Sequence, residues 1–223
     1  AGVGEPRRRY PADADTSRAT GLQPCGNGVR ERAARLSTVS TDDALSPRRA
    51  RRILQRLIDE DVAQRSDVFF MNDHYDIEAL AEKAYQSFGD EKSQINGLER
   101  TALSASTFGE VVNFVKSQMG RDTRIGRDWR ANGFGAALLA VLVGTPNDDA
   151  DEGLAGEGEG HAGRIVDSLD DAVREALQRE DESKRDVERR LDQEVARRLR
   201  LAYAREYIDH LASHYKYLSS TRG

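Results

Sequence analysis

Val187, Leu191, Val195, Leu199 and Ala202 recur at steps of four and three, and the apolar stripe then moves to Leu201, Ala204, Ile208, Leu211, Tyr215 and Leu218. Steps of this kind place side chains on one face of an α-helix, and their span predicts a helix far longer than the usual three or four turns. The shift partway along predicts that this helix meets two different sets of neighbours. A chain committed to such an element folds as an all-α, elongated helical bundle. Composition agrees: hydrophobic residues make up 38%, aromatics 6% and charged residues 33%, so much of the length is helix surface rather than core.

The remaining helices are placed around this element. Ser46-Pro47 is a cap followed by proline at the first helical position, and Ala50, Ile53, Leu54, Leu57 and Ile58 form the inner face of the helix that it opens. Arg48, Arg49, Arg51, Arg52 and Arg56 cover its remaining surface. VFFMNDHYDI, Val68 to Ile77, reads as a short hairpin turning at Asn72-Asp73, giving a small winged-helix-like element near 46–77. Ile95, Leu98, Ala102 and Ala105, then Phe108, Val111, Val112, Val115 and Met119, keep helical spacing as one bent helix or two. AALLAVLV, Ala136 to Val143, reads as helix, with a buried strand as the alternative. Residues 1–43 have no sustained apolar period and are expected to be a disordered tail. The chain is expected to divide into this tail, a small segment over 44–89 and a helical domain over 90–223, which the acidic, glycine-rich run over 145–163 interrupts as a flexible linker.

GRDTRIGRDWRANGFG, Gly120 to Gly135, sets Arg121, Arg124, Arg127 and Arg130 at every third position around Trp129, in a chain of net charge -5. Gly120, Gly126 and Gly133 argue against a continuous helix, and a loop lets the four arginines converge. Guanidinium groups present forked donors that match phosphate oxygens, and Trp129 with Phe134 offers a flat face for an unpaired base. The competing reading pairs these arginines with Asp122 and Asp128 on a solvated loop while Trp129 plugs the core. Four phosphate contacts on a single strand predict a log-affinity against log-salt slope near about -3.

Other chemistry is scarce. No phosphate-binding loop, nucleophile elbow or dinucleotide fingerprint occurs, and catalysis, cofactor and metal are not expected. His210 and His214 have the i, i+4 spacing of paired zinc ligands but lack the glutamate of the metalloprotease motif and an obvious third ligand, so packing or surface roles are expected. Cys25 is the only cysteine, which excludes an intrachain disulfide and points to a reducing, cytoplasmic location. No apolar run approaches the roughly 18 residues of a membrane span, and the first twenty residues lack a signal-peptide core.

EKSQINGLERTALSASTFGEVVNFVKSQMGRD, Glu91 to Asp122, and the closing RLRLAYAREYIDHLASHYKYL together resemble the small subunit of type III CRISPR effector complexes. That family similarly opens a helical core on serine and glutamine before an apolar period and closes on an aromatic-rich, tyrosine-lysine-tyrosine-like helix. The resemblance implies a non-catalytic bundle, present in repeated copies among other subunits of a ribonucleoprotein, whose basic surface steadies guide and target RNA. It carries over to Lys116, Arg121, Arg124, Arg127 and Arg130, with Arg197, Arg198 and Arg205 on the last helix. Backbone charge and shape would be read rather than base identity. Two alternatives stay open: a winged-helix DNA-binding regulator, and a helical structural adaptor whose arginines are all paired to carboxylates.

Overall fold

The computed structural model describes residues 45–71, 76–144 and 153–222, and all regular structure among them is helical. The tail expected over 1–43, the turn at Asn72-Asp73 and residues 145–152 lie outside the described residues.

Helix α1 is Pro47–Met71, and its start is the predicted one: the Arg49 backbone N–H lies 3.4 Å from Ser46 Oγ, with Pro47 at the first helical position. Ala50, Leu54, Leu57 and Ile58 are buried, and Ile53 packs against the core edge. The helix continues through Val68 to Met71, which corrects the expected hairpin and removes the wing from the DNA-binding alternative. Extending an existing helix adds one hydrogen bond per residue fixed, whereas two isolated short strands are marginal without a sheet to join.

Helix α2, Ile77–Phe88, is capped by Asp76, whose Oδ1 accepts from Ala79 N at 2.8 Å. Helices α3, Ser93–Ser104, and α4, Phe108–Met119, are separate. Ala105 is extended, and a reciprocal capping box restarts the chain: Glu110 N donates to Thr107 Oγ1 (3.3 Å) and Ser106 N to Glu110 Oε2 (3.0 Å). Helix α5 is Arg124–Arg130, followed by a 3-10 turn at Ala131–Gly133 and helix α6, Phe134–Val143. Asn132 (φ 53°) and Gly133 (φ 70°) turn the chain in the left-handed region between them.

Helix α7 is Gly153–Asp167, α8 is Asp171–Leu177 and α9 is Lys184–Arg222. The 39 residues of α9 give it a length of about 58 Å. Its amino-terminal half packs on α1, α7 and α8, and its carboxyl-terminal half on α2 and α3. The displaced stripe therefore serves two sets of neighbours, as its spacing predicted. One contiguous core runs from Ala50 to Tyr215.

The linker expected over 145–163 is corrected over its described part, because Gly153 to Gly163 are helical. Two of their glycines, Gly153 and Gly158, are packing surfaces. A Cβ on Gly158 would lie 2.9 Å from Arg200 Cγ and 3.1 Å from Arg200 N on α9, and one on Gly153 would lie 2.4 Å from Gly144 N. Small residues thus let α7 approach α9 closely enough to bury Leu154, His161, Ala162, Ile165 and Val166. That burial offsets the helix-weakening entropy of glycine.

Candidate functional site

Arg121 to Gly133 form no open loop. After α4 the chain turns at 121–123 and enters α5, pressing so closely that a Cβ on Gly126 would sit 1.9 Å from the Arg121 carbonyl oxygen. Glycine at 126 is therefore required by contact, and α5 starts one residue after Thr123.

This packing turns Trp129 inward. Its side chain is fully buried, its Nε1–H donates to Gln94 Oε1 at 3.0 Å, and its ring lies 5.3–6.0 Å from Phe88, Phe134 and Phe114. Tilted and edge-on contacts at these separations are a favourable aromatic geometry. Phe134 is fully buried in the same cluster. The stacking face expected for Trp129 and Phe134 is thus corrected in favour of the competing reading: the indole and the phenyl ring pack against one another at a tilt inside the core and offer no face to a base.

The predicted cations divide into two groups. Arg130 donates from Nη1 to the carbonyls of Met119 and Arg121, closing the end of α4. Arg205 donates to the Ala102 and Ala105 carbonyls at 3.0 and 2.7 Å and closes the end of α3 in the same way. Both satisfy carbonyls that a helix terminus leaves without partners, with cations placed where the helix dipole is negative. Arg124 is held by Glu91 and lies 3.7 Å from Asp128. Arg198 is bound to Gln55 and Glu194, and Arg197 Nε donates to the Gln193 carbonyl. These five side chains have structural partners, of which the competing reading of the sequence names only Asp128 beside Arg124.

Lys116, Arg121 and Arg127 form the second group. All three are exposed, and none has an ion pair or side-chain hydrogen bond among the described residues. Lys116 lies in the last turn of α4, Arg121 in the turn that follows it and Arg127 on α5, so one corner of the bundle carries all three. Asp122 shares that corner and reduces its net positive charge.

A second polar constellation, between α1, α7 and α9, was masked by its place in the supposed linker. Tyr203 Oη donates to Asp61 Oδ2 at 2.5 Å, and His161 Nδ1 lies 3.2 Å from Tyr203 Oη and 3.3–3.4 Å from the Asp61 carboxylate. On the other edge of the ring, Nε2 lies 3.5 Å from Glu157 Oε2. Burial pushes the Asp61 carboxyl up, but hydrogen bonds from His161 and Tyr203, aided by the charges of His161 and Arg65, outweigh it and hold the group below its ordinary value. Burial, then the hydrogen bond to Asp61, pushes the Tyr203 phenol well above the tyrosine range. His161 and Glu157 at i, i+4 were the available signal in the sequence.

His210 Nε2 faces Glu206 Oε1 at 3.6 Å, and His210 and His214 both line a groove with Glu82 and Tyr217. Among the described residues no group of three or more His, Cys, Asp or Glu side chains is arranged to hold a metal ion, and no helix is long and apolar enough to cross a membrane. Compared with protein-family models, curated proteins and solved structures, the chain matches none.

Proposed function

We propose that this chain is a non-catalytic, cytoplasmic RNA-binding subunit of a multi-subunit ribonucleoprotein, holding the sugar-phosphate backbone of guide and target RNA at the α4–α5 corner. The observation that carries the reading is the exposure of Lys116, Arg121 and Arg127 without an ion pair among the described residues, in a chain whose other predicted contacts, Arg124, Arg130 and Arg205, are engaged. Leaving three cations on one corner costs self-repulsion unless a polyanion or its counterions share the surface. The resemblance of Glu91 to Asp122 and of the closing helix to the type III CRISPR small subunit supports the ribonucleoprotein setting and repeated copies of the chain.

With Trp129 sealed, the contact is to phosphates and shape and has no stacking component, so sequence preference is expected to be weak. Purification of the native assembly tests the reading. RNA of uniform length is expected to accompany it, and a gel shift on single-stranded and guide-paired RNA is expected to retard both. An assembly free of nucleic acid, with both RNAs ignored by the chain alone and within the complex, overturns it.

A structural adaptor is the second reading, and one observation favours it. Leu103 is 62% exposed and Tyr217 66% exposed, two large apolar side chains that a protein neighbour would cover. Assembly that is insensitive to salt and carries no RNA would select that role.

A further inference from the structure

Helix α1 opens on Pro47-Arg48-Arg49-Ala50-Arg51-Arg52, and its first turn holds no acidic residue. All four arginines are exposed, and none has an ion pair or side-chain hydrogen bond among the described residues. One turn on, Arg56 is by contrast paired with Glu60 at 2.9 Å. Glu194, which shares a cleft with Arg51, is held by Arg198 and faces Arg190 at 3.7 Å. A helix amino terminus is the positive end of the dipole and favours acids, so cations crowded there work against the stability of α1. The fold gains no charge pairing from them.

At about 100° per residue, Arg48 and Arg52 share the outer face of α1, with Arg51 about 60° to one side of that pair and Arg49 about 60° to the other. The inner face, with Ala50, Leu54, Leu57 and Ile58, is buried against the core. The arginines therefore fan over nearly half of the helix circumference, the half that a partner can reach.

We propose that this fan docks on duplex DNA, Arg49 and Arg51 meeting the phosphate rows of the two strands that flank the major groove, and Arg48 and Arg52 facing the groove between them. A helix with its side chains is about 10–12 Å across, and the major groove of B-form DNA is about 12 Å wide. Helices packed on their own domain by one face enter that groove by their outer face and amino-terminal residues, which is where these arginines stand. Forked guanidinium donors match phosphate oxygens. The major groove of A-form RNA is too deep and narrow for such an approach, and a single strand has one row of phosphates where the fan spans two. An anionic membrane is a poorer fit, because an interfacial helix buries its apolar face in lipid, and that of α1 faces the core. The large apolar side chains exposed among the described residues, Leu103, Val143 and Tyr217, lie on α3, α6 and α9.

The inference does not rest on the α4–α5 corner. Pro47 and Arg51 line a cleft with Leu191, whereas the corner packs through Trp129 on Phe88, next to Gly89, whose carbonyl accepts from Tyr215. Leu191 and Tyr215 are about 36 Å apart along α9.

Fluorescence anisotropy of the full chain on a DNA duplex, the RNA duplex of the same sequence and one of its single strands, each over a salt series, tests the proposal. The DNA duplex is expected to bind most tightly. Arg48→Gln, Arg49→Gln, Arg51→Gln and Arg52→Gln together are expected to weaken it at least about tenfold at low salt and to make the slope of log affinity against log salt shallower by about 2–4, with the thermal midpoint in place. The triple variant Lys116→Gln, Arg121→Gln and Arg127→Gln is expected to keep the preference for duplex DNA, so failure here and failure of the RNA-backbone reading are separable. A quadruple variant that binds the DNA duplex as the wild type does overturns the proposal. So does an RNA duplex or single strand bound as tightly as the DNA duplex, or vesicles of phosphatidylglycerol bound as tightly and with the same sensitivity to the four substitutions.

Discussion

Residues 120–133 and 153–167 are alike in the sequence, both rich in glycine and charge, yet their helices dispose of charge in opposite ways. In α5 a single glycine, Gly126, admits the Arg121 carbonyl, the tryptophan turns inward and the cations at the corner stay outside. In α7 Gly158 admits a whole neighbouring helix, and the histidine is carried inward to meet Asp61 and Tyr203. Glycine in a charged segment thus marks close contact in both places. What differs is whether the contact is with the segment's own preceding turn or with another element.

The sharpest way to break this comparison is at the buried indole. Trp129→Ala is expected to cost about 3–5 kcal/mol in chemical denaturation, because it opens a cavity among Phe88, Phe114 and Phe134 and leaves Gln94 without its donor. A change below about 0.5 kcal/mol would mean that the side chain is not in the core.

Next comes the α7–α9 contact. Gly158→Val is expected to destabilise by about 1–3 kcal/mol through overpacking against Arg200, whereas Gly160→Ala, where a Cβ meets open space, should stabilise by about 0.4–1 kcal/mol. A flexible linker would be indifferent to both, so opposite signs two residues apart identify a packed helix.

Asp61→Asn probes the polar constellation, with an expected loss of about 1–1.5 kcal/mol at neutral pH. Asp61 has its folded value held below 3.8, so its contribution is present above the unfolded value and is lost as pH falls through the folded one. Denaturation midpoints of the wild type and the variant are therefore expected to converge as pH is lowered below about 4. A constant difference across that range would assign the effect to packing rather than to the carboxylate.

How much was legible follows from what each residue needs. The stripe of α1 from Ala50 to Ile58 and the displaced stripe of α9 could be read because burial there falls on apolar side chains at helical steps. The break between α3 and α4 was also written in the sequence, as Thr107 three residues before Glu110, a capping box that goes unnoticed when only apolar residues are followed. Helix α7 was illegible to such a reading because part of its buried face is Gly158 and His161, residues that count as flexible or polar until Arg200 and Asp61 are placed against them. The fate of the arginines was hidden for a related reason. Arg130 and Arg205 satisfy backbone carbonyls at helix ends, and a carbonyl has no signature in the amino-acid alphabet.

The three cations left at the α4–α5 corner are the centre of the functional account, and salt titration of RNA binding tests them most directly. On a 5′-hydroxyl single strand, three phosphate contacts predict a slope of log affinity against log salt near about -2. Lys116→Gln, Arg121→Gln and Arg127→Gln together are expected to flatten it towards zero while stability moves by less than about 0.5 kcal/mol. A slope that the triple variant leaves unchanged would contradict the account.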